Sequence, residues 1–242
     1  MSEELVADVD SQGIIPRIVS SIFTKIDQSI EPIKYSVIVS FAEIYNECIK
    51  DLLEPSQLNL QIINNGKQGI RIRGLTEYLC VDEQEVYQLI DIGNQNRVVD
   101  NNKVNQKSSR SHTIVTIQIA MSNIQKGTNK IGKLQLVDLA GSERVSKTLA
   151  IGKNLLEAKS INQSLSTLGR LINAFNDPLC THYPYRESKL TRILADSIGG
   201  NSKTCMIVTV SPHVDNKYET LSTLRYGAKA QLIRNKPQIN TT

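Results

Sequence analysis

Two short stretches of this 242-residue chain hold residue types spaced for phosphate chemistry. In KLQLVDLAGSER (133–144), Leu134, Leu136 and Val137 form an apolar run that stops at Asp138. Ala140, Gly141 and Ser142 then lead into the charged pair Glu143 and Arg144. A buried strand that ends on an aspartate and then a glycine is a common way to hold Mg²⁺ and sense a γ-phosphate. The carboxylate can hold a metal-bound water, and the bare backbone at Gly141 lets its N–H approach a phosphate oxygen. In NQKSSRSH (105–112), three serines, an asparagine and an arginine stand just before a strand. Hydroxyls are weak, exchangeable ligands for Mg²⁺ and for water, and the Arg110 guanidinium can pair bidentately with a carboxylate. Glu143, which has no role in a plain turn, is a candidate for that pairing. Read alone, the first stretch is also consistent with a strand followed by a glycine turn, and the second with a polar turn capped by serines.

Residues of this kind need strands and helices to place them. GIIPRIVSSIFTKI (13–26) has apolar residues at helical spacing, with Pro16 tolerable in the first turn. KYSVIVSFAEIY (34–45) is rich in β-branched and aromatic residues and reads as a strand, continued by NECIKDLL as a short helix or turn. Residues 58–81 read as short strands around the turn Asn64-Asn65-Gly66. Residues 82–97 read as a helix capped by Asp82 with Glu85 three residues later, and with Gly93 near its end. HTIVTIQIAMS (112–122) alternates as a strand, with KLQLVDL its antiparallel neighbour through a turn around Gly127. Helices are expected over 154–177, 187–198 and 218–233, a buried strand over KTCMIVTVS (203–211), and an extended polar segment from 234. Strands and helices interleave, so the class is α/β, and no repeat or linker divides the chain.

The bulk properties narrow the function. The apolar and charged fractions are ordinary for a soluble globular protein, and no apolar run is long enough for a membrane helix. The acidic start (Glu3, Glu4, Asp8, Asp10) does not read as a secretory signal. Cys48, Cys80, Cys180 and Cys205 are far apart and fit reduced thiols in a cytosolic or nuclear protein, and the scattered histidines offer no metal-binding spacing. Charge is unevenly distributed. Residues 1–54 hold ten acids against four bases, a net −6, and residues 144–242 hold fourteen bases against six acids, a net +8. A basic C-terminal half suits an acidic partner surface, although a solvated charged face would look the same.

Together the two stretches resemble the switch I (N-x-x-S-S-R-S-H) and switch II (D-L-A-G-S-E) sequences of kinesin motor domains. The resemblance runs in family order through GIIPRIV, FAEIYNECIKDLL, EAKSINQSLSTLG, YPYRESKLTRIL, DSIGGNSKT and ETLSTLRYGAKA, covering residues 13–240. It implies a motor core of the P-loop NTPase kind, a central mixed β-sheet flanked by helices, that couples ATP hydrolysis with Mg²⁺ to movement along microtubules. Ser109 would then stand near the metal, Ser108 and Asn105 would place the attacking water and the γ-phosphate, and Asp138 would hold the metal's water shell. Gly141 would sense the γ-phosphate, and Arg110 and Glu143 would close the site as a salt bridge, with Glu143 also placed to relay a proton. Lys147, Lys153, Lys159, Arg186, Lys189 and Arg192 would meet acidic tubulin. The segment from Ile233 resembles a neck linker, with Asn240 at the latching asparagine. The implied organisation is a partial motor domain over 1–232 and a neck-linker-like segment over 233–242. It also implies a homodimer joined through a stalk outside this chain, a cytoplasmic, cytoskeletal location, and neither nucleic acid nor membrane as partner.

The chain departs from the family pattern in places. The phosphate loop G-x-x-x-x-G-K-S/T and the first strands would lie upstream of GIIPRIV and are lacking here. GTNKIGKL (127–134) has part of that pattern, but Leu134 replaces the hydroxyl and the segment precedes a strand, so a hairpin turn is expected. Leu149, Ile151 and Gln163 replace the glycine, acid and lysine usual at those positions. Three readings follow: part of a kinesin ATPase, a nucleotide-free microtubule-binding relative, or another switch-containing nucleotide hydrolase. The 242-residue chain alone is expected to hydrolyse ATP negligibly and to be marginally stable, with sheet edges open.

Overall fold

The computed structural model describes residues 12–30, 32–64, 66, 69–101, 110–142 and 153–241, without the side chains of 99–101 and 153–162. Helix α1 (Ile14–Asp27) leads into the long strand β1 (Ile33–Tyr45). Strands β2 (Cys48–Asp51), β3 (Gln61–Asn64), β4 (Ile70–Arg73) and β5 (Tyr78–Cys80) follow. Helix α2 (Glu83–Asn101) precedes the hairpin of β6 (His112–Asn123) and β7 (Thr128–Asp138). The chain ends in α3 (Lys153–Phe175), the short α4 (Lys189–Ile193), α5 (Lys217–Gln231) and an extended tail. Among the described residues the main sheet runs β2-β1-β6-β7, with β5 also on β1, and β3 and β4 form a separate hairpin. Every strand pairing named here is antiparallel, so the sheet expected to be mixed appears in its antiparallel part.

Side-chain parity divides the core into two layers. Val37, Val39, Phe41, Val115 and Ile117 face α1 and α2, packed with Val19, Phe23 and Val86. Ala42, Ile44 and Ile114 face the opposite way, onto Leu168, Leu171 and Ile172 of α3 and Leu190 and Ile193 of α4. Alternate residues of one strand serve different cores because successive side chains point to opposite faces of a sheet.

The capping of α2 is as expected: Asp82 accepts from the Glu85 N–H at 2.9 Å, and Glu85 accepts from the Val81 N–H at 2.8 Å. The helix nevertheless runs past Gly93 to Asn101. Gly93 is a packing position, because a Cβ there would lie 2.1 Å from the Phe41 ring. GTNKIGKL forms the β6–β7 hairpin, with Gly127 at φ 59°. NECIKDLL is a strand rather than a helix: Asn46 and Glu47 take φ 51° and 55°, the left-handed pair of a two-residue hairpin, and set β2 against β1. The helix expected over 187–198 shrinks to a single turn at Tyr185–Glu187, the five residues of α4, and turns. The segment 203–211 forms no strand and joins no ladder, and Met206, Ile207 and Val210 are exposed. Its apolar composition matched a buried strand, but no strand among the described residues lies beside it to pair.

Candidate functional site

The described parts of the two chemistry-bearing stretches, 110–112 and 133–142, meet at one end of the sheet. Because β6 begins at His112 and β7 ends at Asp138, with Thr113 opposite Asp138, Arg110 and Ser111 enter the sheet where Asp138 to Gly141 leave it. Register also aligns Glu43 of β1 with Thr113, so Glu43, Thr113 and Asp138 form a row on the α2 side. Glu43 is buried, whereas the Asp138 side chain is exposed. From α2, the largely buried Arg97 reaches the Asp138 carboxylate at 3.4 Å. At that separation, with one partner in solvent, the pair orients more than it stabilises, contributing about 1 kcal/mol or less.

His112 occupies the other side of the same sheet end. It is 2 % exposed. Its Nδ1 accepts a hydrogen bond from the Ala140 N–H at 2.9 Å, and its Nε2 lies 2.7 Å from the Ser164 hydroxyl of α3. A backbone amide only donates, so Nδ1 carries a lone pair and the ring proton sits on Nε2, donating to Ser164. Burial pushes the imidazole down to about 4, and the nearby Asp138 charge only partly opposes the shift. Ala140 is buried and Gly141 half-buried, so the strand exit is held in place up to the loop.

Of the residues singled out from sequence, Arg110, Asp138 and Gly141 come together here. Asn105, Ser108, Ser109, Glu143 and Lys147 lie outside the described residues, as do Leu149 and Ile151. Lys153 and Lys159 fall on the backbone of α3 with their side chains outside the described set. Arg186 is exposed on the turn before α4, and Gln163 is exposed on α3. Lys189 and Arg192 are half-buried on α4, with Lys189 Nζ 3.0 Å from Asn59 Oδ1. Arg170 of α3 pairs with Glu187 at 2.5 Å, joining the long helix to this turn.

Two further anchors escaped the sequence reading. Glu47, in its left-handed hairpin position, accepts from the Lys189 N–H at 2.7 Å and from the Ser188 hydroxyl at 3.0 Å. Ser188 in turn caps α4 by accepting from the Leu190 N–H. Asn235 donates to the carbonyls of Ser197 and Ser202, and its Oδ1 accepts from the Gly199 N–H. An asparagine two residues past Ile233 could have signalled the second, since its amide can serve several backbone groups at once. The rest of the tail lies along β7. Asn240 exchanges backbone and side-chain bonds with Ile131, Asn201 Nδ2 donates to its Oδ1 at 2.8 Å, and Lys130 bridges Thr241. Ile233 packs against the α3-side core.

Helices on both faces of a sheet, with Arg110 and Ser111 entering it where Leu139 to Gly141 leave it and a tail laid on the edge strand, define an α/β core of the motor-domain kind. The chain belongs to the kinesin motor domain family, which matches residues 1–233. It is 50 % identical over 233 residues to a kinesin heavy chain of Neurospora crassa, covering 96 % of this chain and 25 % of that protein. It is 46 % identical over 238 residues to a kinesin heavy chain of Caenorhabditis elegans, covering 98 % of this chain and 29 % of that one. A solved structure of a fast kinesin, described for its ATPase mechanism and interactions with microtubules, superposes with a TM-score of 0.90 at 48 % identity. That match covers 98 % of this chain and 68 % of the solved one. The chain thus spans about a quarter of the length of the heavy chains it matches.

Proposed function

We propose that this chain is the switch-bearing and filament-binding part of a microtubule motor that couples ATP binding and hydrolysis to movement. The observation that carries the reading is the meeting of Arg110–His112 with Asp138–Gly141 at one sheet end, directly against α3. The groups there, an exposed carboxylate at Asp138 and the side-chain-free backbone of half-buried Gly141, suit a hydrated Mg²⁺ and a phosphate oxygen. Bound Mg²⁺·ATP supplies the phosphoryl group and the charge neutralisation. Asp138, oriented by Arg97, would hold the metal's water shell, with Ser109 as the second metal-side ligand. Asn105 and Ser108 would position the attacking water, and Arg110 with Glu143 would close over it. Closure tied to the γ-phosphate would make a conformational switch.

Acidic tubulin would be met by Lys147, Lys153, Lys159, Arg186, Lys189 and Arg192, with the α4 group held by Glu47. The tail from Ile233 to Asn240 would act as a neck linker, here laid along β7. We assign the working protein to the cytoplasmic cytoskeleton as a homodimer joined through its stalk. Co-pelleting of the chain with microtubules, weakening steeply as salt rises, tests the partner. Microtubule-stimulated phosphate release by the full-length protein tests the activity. Salt-sensitive pelleting without stimulated release would favour the second reading, a nucleotide-free microtubule-binding relative.

A further inference from the structure

We propose that His112 is the positioning residue that couples the Ala140–Gly141 loop to helix α3, as a rigid bridge between the end of β7 and Ser164. The coupling rests on the function proposed above, but the bridge itself is a matter of geometry. Three separate elements converge on one imidazole. The ring begins β6 immediately after Arg110 and Ser111, takes the Ala140 N–H on Nδ1, and gives its own N–H to Ser164.

Both ring nitrogens are used, on opposite sides of a planar group that is almost wholly buried. Only one tautomer satisfies both partners, because the amide can only donate. Protonating Nδ1 would set two N–H groups against each other, and burial already keeps the ring neutral. A side chain held in this way cannot absorb movement by changing rotamer or partner. A shift of the Ala140 amide must tilt the ring and displace Nε2 from Ser164, or break one bond. The next residue, Gly141, has no side chain to hold it, so Ala140 is the last anchored point before the loop. On the helix, Leu168, Leu171 and Ile172 carry the motion on, since they pack as one buried face against the sheet.

A buried histidine that merely fills space would couple nothing, and three variants separate the two cases. His112→Asn places a carbonyl near Nδ1, keeping the Ala140 bond while losing Ser164. His112→Gln places an amide near Nε2, keeping Ser164 while losing Ala140. Ser164→Ala removes the far partner and leaves the ring. In the full chain, amide exchange at Ala140 and ¹⁵N shifts of the His112 ring are the first readouts. The coupling requires Ser164→Ala to speed Ala140 exchange about fivefold or more, although Ser164 does not touch Ala140. It also requires His112→Asn combined with Ser164→Ala to add nothing beyond His112→Asn alone. Unchanged Ala140 exchange in Ser164→Ala, additive effects in the double variant, or a wild-type ring protonated on Nδ1 would each overturn the bridge.

In the full-length protein the same variants should lower microtubule-saturated turnover about tenfold, while the half-saturating microtubule concentration stays within about twofold. A fall in microtubule affinity with turnover unchanged would overturn the coupling role. If the unmodified protein neither binds microtubules nor turns over nucleotide, the proposed function fails, and the exchange and ¹⁵N results still decide the bridge.

Discussion

Protonating His112 should destabilise this chain, and the size of the effect can be worked out from its surroundings. The imidazole sits down to about 4 in the fold, against an ordinary value of about 6.5 when unfolded. Between those values the unfolded chain binds the extra proton and the folded chain does not, so stability rises with pH through that window. The contribution is fully present above about 6.5 and is lost as pH falls toward about 4. Going from about pH 8 to about pH 5.5 should remove about 1.5 kcal/mol, and below pH 4 the loss approaches about 3 kcal/mol. The assay is urea unfolding at both pH values for the wild type and for His112→Gln, which cannot titrate. His182 and His213 are common to both proteins, so the difference between the two pH profiles isolates His112. The wild type should lose about 1.5 kcal/mol more than the variant, equivalent to about 3–6 °C in Tm for a chain of this size. Parallel profiles would refute the claim that the ring is held neutral by burial and by the Ala140 amide.

Substitutions at four other positions follow from the contacts. Glu47→Ala should cost about 1–3 kcal/mol by leaving the Lys189 N–H and the Ser188 hydroxyl without their acceptor. Glu47→Gly should cost less, because glycine is at ease at φ 55°, and thermal melts of the pair compare the two terms. Gly93→Ala should destabilise by about 1–3 kcal/mol in urea titration, since its Cβ would meet the Phe41 ring at 2.1 Å. Asn240→Ala keeps the backbone bond to Ile131 but loses the bonds from Asn201 and to the Ile131 carbonyl, so amide exchange at Ile131 and Gln238 should quicken several-fold. If the proposed filament-binding role holds, Arg186→Ala should weaken microtubule co-pelleting only a few-fold, and less as salt rises, because Arg186 is an exposed single charge.

The legible parts of this fold were those with a local cause. The capping pair Asp82 and Glu85 announced α2, and the alternation of 112–122 announced β6, because both signals are written within a few residues. The pairing of 105–112 with 138–143 was legible as motifs, but the geometry by which 110–112 meet 138–141 was not. It depends on Thr113 lying opposite Asp138, a register set by the whole β6–β7 hairpin. Gly93 was misread as a helix stop because sequence spacing could not reveal the Phe41 ring on a distant strand. Glu47 was invisible for a related reason. Nothing near it in sequence needs a carboxylate, and its partners lie at Ser188 and Lys189.

The misreading of 203–211 follows from what makes a strand. Composition can make a segment apolar and extended, but a ladder needs a neighbour with free N–H and C=O groups at the right distance. Residues 203–211 have the composition, and Val208 packs beside Gly227 of α5, yet Met206, Ile207 and Val210 remain exposed. No residue of α5 is buried either. Both elements therefore present apolar side chains to a space that no described strand fills, while β7 is partly occupied along its edge by the tail at Asn240 and Thr241. Stability should accordingly be graded across the molecule: greatest where β1 and β6 are sandwiched between two helical layers, least along 203–211 and α5. Amide exchange should follow that order, with Ile117 and Val39 slowest and Ile207 and Leu224 among the fastest. Equal protection of Ile207 and Val39 would mean that something covers the exposed segment in solution, and that its exposure is not a property of the protein as it folds.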